Sequence, residues 1–473
     1  MTAMSVDPAL LAALESAVRV DPNSLPLRLH LAGLLLALVP PGYVAETLPN
    51  GLRVSIVADP TMPVVATQVW YHVGSANEDP HTRGFAHLFE HLMFGGTPSH
   101  PERAVWDRHE AFGGDVNAST AFDETVYVSE IPPQGHPGVI ELEADRMVNL
   151  TLTPDYLANE QRIVTEELRL STENDPFSRL YAAILKRVLD DHPYALTPVG
   201  TKEDIAAATL EHAREFYGCY YRPRNAHLIV VGPVDPQATL QRVRAAFGPL
   251  PADGITPPDV PDVYGWHFPA EVEFREDLPP VEIAALGFPL PAANAPDALA
   301  LELLEQVLTA SALDPVDDEL VRKRHRAVFA TAVSLGARRG GLIAFVSANL
   351  PYRRRATAFR HLDEVRQQLG RFVWLDESRL AAAKRKLLQA DGQRSYLAAT
   401  LADAIGSEAW WAGDERRAFD RAERLARVTL ADVRGAYRRY VLEAKPVKLY
   451  VRPEHVPLYV RLFGWLYPLF RRG

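Results

Sequence analysis

The chain has 473 residues, a length that predicts two or three domains. Its 50 Lys and Arg and 60 Asp and Glu give a formal net charge of −10, which disfavours nonspecific nucleic-acid binding because that requires a cationic surface. The hydrophobic share of 47% excludes a mostly disordered chain. The single cysteine, Cys219, excludes an internal disulfide and a multi-cysteine metal site, and it is compatible with a reducing compartment.

Residues 1–42 are predicted to form a helical extension. Leu10 and Leu14 recur at helical spacing, and a turn cluster over 21–24 separates them from a second apolar face that begins at Leu27. The pair resembles one helical hairpin of the tetratricopeptide type, which cannot bury its own apolar face. It therefore packs on the rest of the chain or binds a partner helix, and we favour packing.

No membrane span and no signal peptide are predicted. The longest apolar run, Leu31–Val39, has about half of the ~18–20 residues that a transmembrane helix needs, and we interpret it as a buried helix. A signal peptide would place a basic start next to a short apolar core, whereas Asp7, Glu15 and Asp21 precede this run. We therefore expect a cytoplasmic protein.

Proline marks the predicted domain boundaries. The 38 prolines make up about 8% of the chain, against a usual ~5%, and they cluster at Pro40-Pro41 and over Pro251–Pro261. Such clusters resist both helices and sheet interiors. The predicted segments are a helical extension over 1–42, an N-terminal domain over 43–250, a proline-rich linker over 251–265, a C-terminal domain over 266–453 and a tail over 454–473.

The two central segments look like copies of one domain. The first begins with a predicted hairpin over 44–58 that turns at Asn50-Gly51, followed by a strand over 63–73. Thr209–Tyr220 and Thr429–Tyr440 share Thr, Leu, Arg, Tyr and Tyr at a constant offset of 220 residues, and each precedes a predicted strand. This agreement predicts a duplicated domain.

The stretch Gly84–Phe94 carries the clearest chemical signal. Its periodicity is helical, so the side chains of His87 and His91, four residues apart, leave the same face. Two imidazoles in this arrangement suit two corners of a tetrahedral zinc site. Glu90 lies beside them without being a ligand, where a general base for a zinc-bound water is expected. The bare spacing H-x-x-E-H also arises by chance in a long chain.

A third ligand is needed, and the carboxylate-rich helical stretch over 156–171 offers one. Glu160 and Glu167 are two helical turns apart and share a face, whereas Glu166 points elsewhere. Glu167 is the candidate third ligand, and Glu160 is the candidate acceptor for the N–H of a ligand histidine. By spacing alone, a solvated acidic face is the favoured explanation of these residues.

The residues around the motif resemble the pitrilysin family of zinc peptidases, which includes insulysin, the mitochondrial processing peptidase and many bacterial two-domain members. His87-Leu88-Phe89-Glu90-His91 is similar to the inverted zinc motif of the inverzincins. The other matching stretches are Val73-Gly74-Ser75-Ala76-Asn77-Glu78, Phe94-Gly95-Gly96-Thr97, Asn117-Ala118-Ser119-Thr120, Glu160 with Glu167-Leu168, and His192-Pro193 with Val199-Gly200-Thr201. The resemblance covers roughly residues 44–451 and is stronger in the first half.

This resemblance implies a zinc endopeptidase with an α+β fold. Each half would be a sheet covered by helices on one face, and the two halves would clamp an inner chamber. One Zn²⁺ per chain would be bound, by the first half. The second half carries apolar residues in place of the two histidines and the general base: Leu304, Val307 and Leu308.

The resemblance also implies where a peptide substrate binds. Asn117-Ala118 match an edge-strand motif that pairs with an extended peptide in the family, although Ser119 stands where the family usually has an aromatic residue. Arg322 matches an arginine that reaches into the chamber. Phe329, seven residues later, stands where the family has a tyrosine, and losing that hydroxyl would lower the rate by on the order of 10²–10³.

Two explanations of Phe329 are open. A different tyrosine serves, or the chain forms a homodimer or a heterodimer with a sister subunit that supplies the Arg and Tyr; we favour pairing. A non-catalytic scaffold or assembly subunit on the same fold is the alternative function. A peptide-binding module with a structural zinc is disfavoured, because structural zinc sites normally have four protein ligands.

The tail over 454–473 is aromatic and carries Arg471-Arg472 just before Gly473. This composition suits peripheral contact with a membrane surface or docking into a partner, and folding back onto the chain is the alternative. The expected substrate is an extended peptide or a small unfolded polypeptide. The acidic net charge mildly favours basic peptides.

Overall fold

The protein is described by a computed structural model that covers residues 42–309, 314–350, 355–395 and 397–458, together with Ser16 and Val460. The predicted N-terminal hairpin and most of the predicted tail, including their proposed contacts, lie outside the described residues. Within the covered ranges, no helix combines the length and apolar character that crossing a bilayer requires.

Six strands form the first sheet. They are β1 (Tyr43–Thr47), β2 (Arg53–Ala58), β3 (Val65–Tyr71), β4 (Asp115–Thr120), β5 (Thr125–Ile131) and β6 (Ala226–Gly232). They adjoin in the order β1-β2-β6-β3-β5-β4; β2 and β6 are parallel, and all other neighbours are antiparallel. β3 and β6 are buried along their whole length, which explains their near-continuous apolar character.

The predicted hairpin at the start of this sheet is confirmed. β1 and β2 pair in antiparallel register from Tyr43 opposite Val57 to Thr47 opposite Arg53. Gly51 in the turn has φ 93°, a conformation that glycine adopts without steric cost.

Five strands form the second sheet. They are β7 (Glu271–Glu276), β8 (Glu282–Leu290), β9 (Phe329–Ala337), β10 (Gly340–Asn349) and β11 (Val447–Pro453). Their order is β7-β11-β8-β10-β9, with β7 and β11 parallel and the other neighbours antiparallel. Order and directions repeat those of β2-β6-β3-β5-β4. The predicted duplication and the α+β fold class are therefore confirmed, with β1 an addition to the first copy.

Fifteen α-helices connect the strands in the described part of the chain. They are α1 (Phe85–Leu92), α2 (Ala104–Phe112), α3 (His136–Asn149), α4 (Pro154–Leu168), α5 (Pro176–Leu189), α6 (Lys202–Ala207), α7 (Leu210–Tyr220), α8 (Pro236–Phe247), α9 (Ala298–Thr309), α10 (Pro315–Asp317), α11 (Arg355–Leu369), α12 (Glu377–Ser395), α13 (Ala398–Ala412), α14 (Arg417–Arg427) and α15 (Leu430–Tyr437). Three of them continue into π-helical turns, at Arg169–Glu173, Asp318–Lys323 and Arg438–Leu442.

The chain forms two compact units and alternates between them. It changes unit after Glu166, Thr197, Asp259, Leu387 and Arg427, so α13 and α14 belong with the first sheet. This arrangement differs from the contiguous C-terminal domain predicted over 266–453. A proline-rich linker marks where the backbone is extended, but it carries no information about which sheet a distant helix covers.

Helix α13 covers one face of the first sheet, packing on β3 and β6, while α1, α3, α7 and α8 cover the other. This differs from the single covered face that the resemblance implies. The close approach of α13 to β3 requires glycine at position 406, because a Cβ there would lie 2.2 Å from the Trp70 ring. The buried Gln68 side chain fastens the helix by donating to Ala399 O at 2.9 Å and Asp403 Oδ1 at 2.8 Å.

Candidate metal centre

Helix α1 carries the H-x-x-E-H motif and is fixed at its first turn by Glu78. The two carboxylate oxygens of Glu78 accept from the amides of Gly84 at 2.7 Å and Ala86 at 2.8 Å. Burial raises the pKa of Glu78 to about 8, and the two amide hydrogen bonds oppose that rise. Gly84 has φ 79°, and a Cβ there would lie 2.6 Å from the Ile205 side chain. The sequence marks Glu78 as part of a motif, but this anchoring role was not predicted.

The later part of α1 is fixed by two buried side chains from other elements. The hydroxyl of Tyr127, on β5, donates to Phe89 O at 2.7 Å. Arg146, on α3, donates to Met93 O at 3.3 Å and pairs with the carboxylate of Glu143 at 2.6 Å. Because both ends of α1 are held by hydrogen bonds, its polar face is presented in a defined orientation.

The predicted ligands lie together. The ring centroids of His87 and His91 are 5.2 Å apart, and one ligand atom from each ring and one from Glu167 all lie within 4.8 Å of one another. These three form the one candidate metal-binding group found in the described ranges. Glu167 lies near the end of α4, and the residues of this helix up to Glu166 belong to the first unit.

Glu160 lies on α4 two helical turns before Glu167, and it faces His91. Its Oε2 is 3.5 Å from His91 Nδ1, while its Oε1 accepts from Asn159 Nδ2 at 3.0 Å. A carboxylate at Nδ1 leaves the opposite ring nitrogen of His91 for a metal. Two imidazole nitrogens and one carboxylate oxygen are the three-ligand set typical of a catalytic zinc site, so the residues present fit zinc.

Glu90 lies beside this group. Its Oε2 is 4.0 Å from Nε2 of His87 and accepts a hydrogen bond from Thr120 Oγ1 at 2.7 Å. Thr120 is the last residue of β4, and the sequence placed it only within a motif stretch without assigning it a role. The packing of β4 against α1 brings Thr120 to Glu90. No local pattern in the sequence predicts that packing.

Asn117 and Ala118 lie in the middle of β4, at the free edge of the first sheet. The Asn117 side chain is exposed, and its Oδ1 accepts from the Ala118 amide at 2.9 Å. Ser119 is also exposed. An edge strand offers unpaired backbone groups to an extended peptide, so the position of β4 suits the predicted substrate strand.

Arg322 and Phe329 belong to the second unit. Arg322 is in the π-helical turn after α10, and its Nε is 3.0 Å from Asp317 Oδ2. Phe329 is the first residue of β9, a sheet edge, and 55% of its surface is exposed. In the same unit, the residues at the positions of the two histidines and the general base are buried in α9: Leu304, Val307 and Leu308.

His192, part of another motif stretch, has a structural role. Its Nδ1 accepts from the Tyr194 amide at 3.1 Å, which leaves Nε2 as the donor to Pro261 O at 3.0 Å. The Tyr194 hydroxyl accepts from the Arg339 amide at 3.1 Å. This motif therefore fastens the end of the proline-rich segment within the second unit.

Two family models match the chain. The insulinase model (peptidase family M16) matches residues 53–201, and the model described as peptidase M16 inactive domain matches residues 207–385. The first span contains the candidate ligands. The second contains α9, which lacks them.

Similar proteins are described as zinc proteases. Zinc protease PqqE of Helicobacter pylori is 31% identical over 317 residues, which are 66% of this chain and 71% of that protein. An uncharacterized zinc protease of Streptomyces coelicolor is 29% identical over 201 residues, 42% of this chain and 44% of that protein. The matched region thus spans less than half of the Streptomyces protein.

Solved structures share the fold. A protease from Helicobacter pylori superposes with a TM-score of 0.76 at 25% identity, covering 88% of this chain and 100% of that one. The periplasmic protease PqqL from Escherichia coli has a TM-score of 0.68 at 21% identity, covering 90% of this chain and 50% of that one. The second likeness, at this identity, concerns the fold alone.

Proposed function

Because the chain belongs to peptidase family M16, the insulinase family, we propose that it is a zinc-dependent endopeptidase that hydrolyses extended peptides or small unfolded polypeptides. The observation that carries this proposal is the clustering of His87, His91 and Glu167 within 4.8 Å, with Glu90 beside His87. An arrangement of three protein ligands and an adjacent unligated carboxylate is typical of hydrolytic zinc sites.

In this proposal the three clustered side chains hold one Zn²⁺ per chain. Zinc, when bound, supplies Lewis acidity that acidifies water and polarises a peptide carbonyl. Glu160 orients His91 through its Nδ1. A carboxylate oxygen of Glu90 takes a proton from the attacking water and then delivers it to the leaving amine nitrogen.

Strand β4 would bind the substrate as an added strand. Its free edge carries Asn117-Ala118, and its last residue contacts Glu90. Main-chain hydrogen bonds along such an edge bind peptides with little regard to sequence, while side-chain pockets set preference. The substrate is therefore expected to be extended or unfolded around the cleaved bond.

The absence of a hydroxyl at Phe329 is the reason to expect a second subunit. A phenyl ring has no hydroxyl to donate, so this chain lacks the tyrosine that the family places seven residues after Arg322. We propose that the chain works in a dimer, either with a copy of itself or with a sister chain that supplies an Arg and a Tyr. The alternative is a scaffold without peptidase activity. If the chain acts alone, Phe329→Tyr should raise its kcat, and an unchanged kcat would favour a sister subunit.

The test of the activity is Glu90→Gln, which keeps the size of the side chain and removes its basicity. Zinc content should persist while hydrolysis of a fluorogenic peptide library vanishes. Glu110→Gln, an exposed carboxylate on α2, is the matched control and should behave as the native protein. Absence of zinc from the purified native protein, or undiminished cleavage by Glu90→Gln, would refute the proposal.

A further inference from the structure

The hydroxyl of Thr120 stands out because it contacts the proposed general base directly. Thr120 Oγ1 lies 2.7 Å from Glu90 Oε2 and 3.5 Å from Ala86 O. A hydroxyl has one proton to donate, and the short contact identifies Glu90 as its acceptor. Across the ranges that the structure describes, Thr120 is the single hydrogen-bond donor to the Glu90 carboxylate.

Thr120 is held by the turn that follows it. The turn between β4 and β5 closes with the Ala121 amide donating to Glu124 O at 2.8 Å. The Ala76 amide donates to Phe122 O at 2.8 Å, and the indole of Trp410, on α13, donates to Asp123 O at 3.2 Å. The turn next to Thr120 is thus attached to the short 3-10 helix Ser75–Asn77 and to α13.

The same hairpin also fixes the backbone next to Glu90. Tyr127 on β5 is almost fully buried, and its hydroxyl donates to Phe89 O at 2.7 Å. The β4–β5 hairpin therefore contacts α1 twice, once at the backbone before Glu90 and once at its carboxylate. This double attachment restrains a side chain that otherwise has three rotatable bonds.

We propose that Thr120 is a positioning residue for the peptidase reaction. Its hydroxyl holds the Glu90 carboxylate beside His87, so that the base need not be ordered in each turnover. This role rests on the proposed function. Misplacing a reacting group by about 1 Å can lower the rate by about 10²-fold, which sets the scale of the expected effect.

A purely structural role is the competing explanation, and the second sheet shows what it would look like. There, Ser334 on the edge strand β9 hydrogen-bonds Glu305 on α9, whose pKa is raised by burial. No candidate ligands accompany that pair among the described residues. If Thr120 only ties an edge strand to a helix in the same way, its loss should lower stability and leave kcat unchanged.

The experiment compares Thr120→Val, Thr120→Ser and a control, Thr125→Val. Thr125 lies opposite Thr120, and its buried hydroxyl donates to Val73 O at 2.9 Å without contacting Glu90. Thr120→Val should lower kcat by about 10- to 100-fold with little change in KM or zinc content. Thr120→Ser should restore most of kcat, and Thr125→Val should lower the Tm but not kcat.

A crystallographic comparison makes the test independent of activity. Glu90 should occupy one rotamer, within hydrogen-bond distance of residue 120, in the native protein and in Thr120→Ser, and should move or become disordered in Thr120→Val. An unmoved Glu90 in Thr120→Val, or equal loss of kcat in Thr120→Ser, overturns the positioning role. A native protein that cleaves no peptide overturns the proposed function instead, and it removes the positioning role with it.

Discussion

Oε2 of Glu160 lies 3.5 Å from Nδ1 of His91, and Glu167 follows on the same helix two turns later. A single helix thus carries both a candidate ligand and the group that orients another ligand. Because α4 is continuous from Pro154 to Leu168, a shift of this helix would change both contacts together.

Glu160→Gln should weaken zinc binding by about 10- to 100-fold, because an amide orients the His91 ring less strongly than a carboxylate does. The measurement is zinc affinity by competition with a chromophoric chelator. Glu166→Gln, one residue before the ligand Glu167, should leave the affinity unchanged. Equal affinities for Glu160→Gln and the native protein would show that Glu160 does not orient the ligand.

Glu78→Ala should destabilise the protein by about 1–3 kcal/mol, since it leaves the amides of Gly84 and Ala86 without their acceptor. Denaturant unfolding of the zinc-free protein measures this loss without interference from metal. The exposed neighbour Asp79 offers a control in Asp79→Ala, which removes hydrogen bonds only from a solvated turn. Equal stabilities of the two variants would contradict the anchoring of α1 by Glu78.

Because His136 is buried, we expect the protein to lose stability in acid. Burial lowers its pKa from 6.5 to about 4, so below pH 6.5 the unfolded chain takes up a proton that the folded chain does not. The contribution of the neutral, buried His136 to the free energy of unfolding is therefore complete above pH 6.5 and is lost as the pH falls toward 4. His136→Leu should flatten the pH dependence of the unfolding free energy over this window, by on the order of 3 kcal/mol. A pH dependence in His136→Leu equal to that of the native protein would contradict this prediction.

Gly406→Ala tests the placement of α13 on the first sheet. The added Cβ would lie 2.2 Å from the Trp70 ring, so either the helix or the ring must move. We expect a loss of about 1–3 kcal/mol, measured by thermal and denaturant unfolding. Gly435→Ala is the matched control, because a Cβ there meets nothing within 4 Å. Stability equal to that of Gly435→Ala would mean that α13 does not pack on Trp70.

Local sequence was enough to predict the residues that share one helix. His87 and His91 had to face the same side because they are four residues apart, and Glu90 had to lie next to them. The two carboxylates on α4 were paired by the same argument, although choosing Glu167 as the ligand depended on a family resemblance. The duplication was also visible, because both copies kept the order of helix and strand.

The contacts that hold these residues in place could not be predicted from local patterns. Thr120 reaches Glu90 across thirty positions of sequence, and α13 crosses to the first sheet after the chain has already built most of the second. Such contacts depend on long-range packing, which leaves no periodic trace in the sequence. The spacing of residues along α1 therefore predicts the chemistry that this helix can offer, whereas the packing of β4, α4 and α13 positions that chemistry.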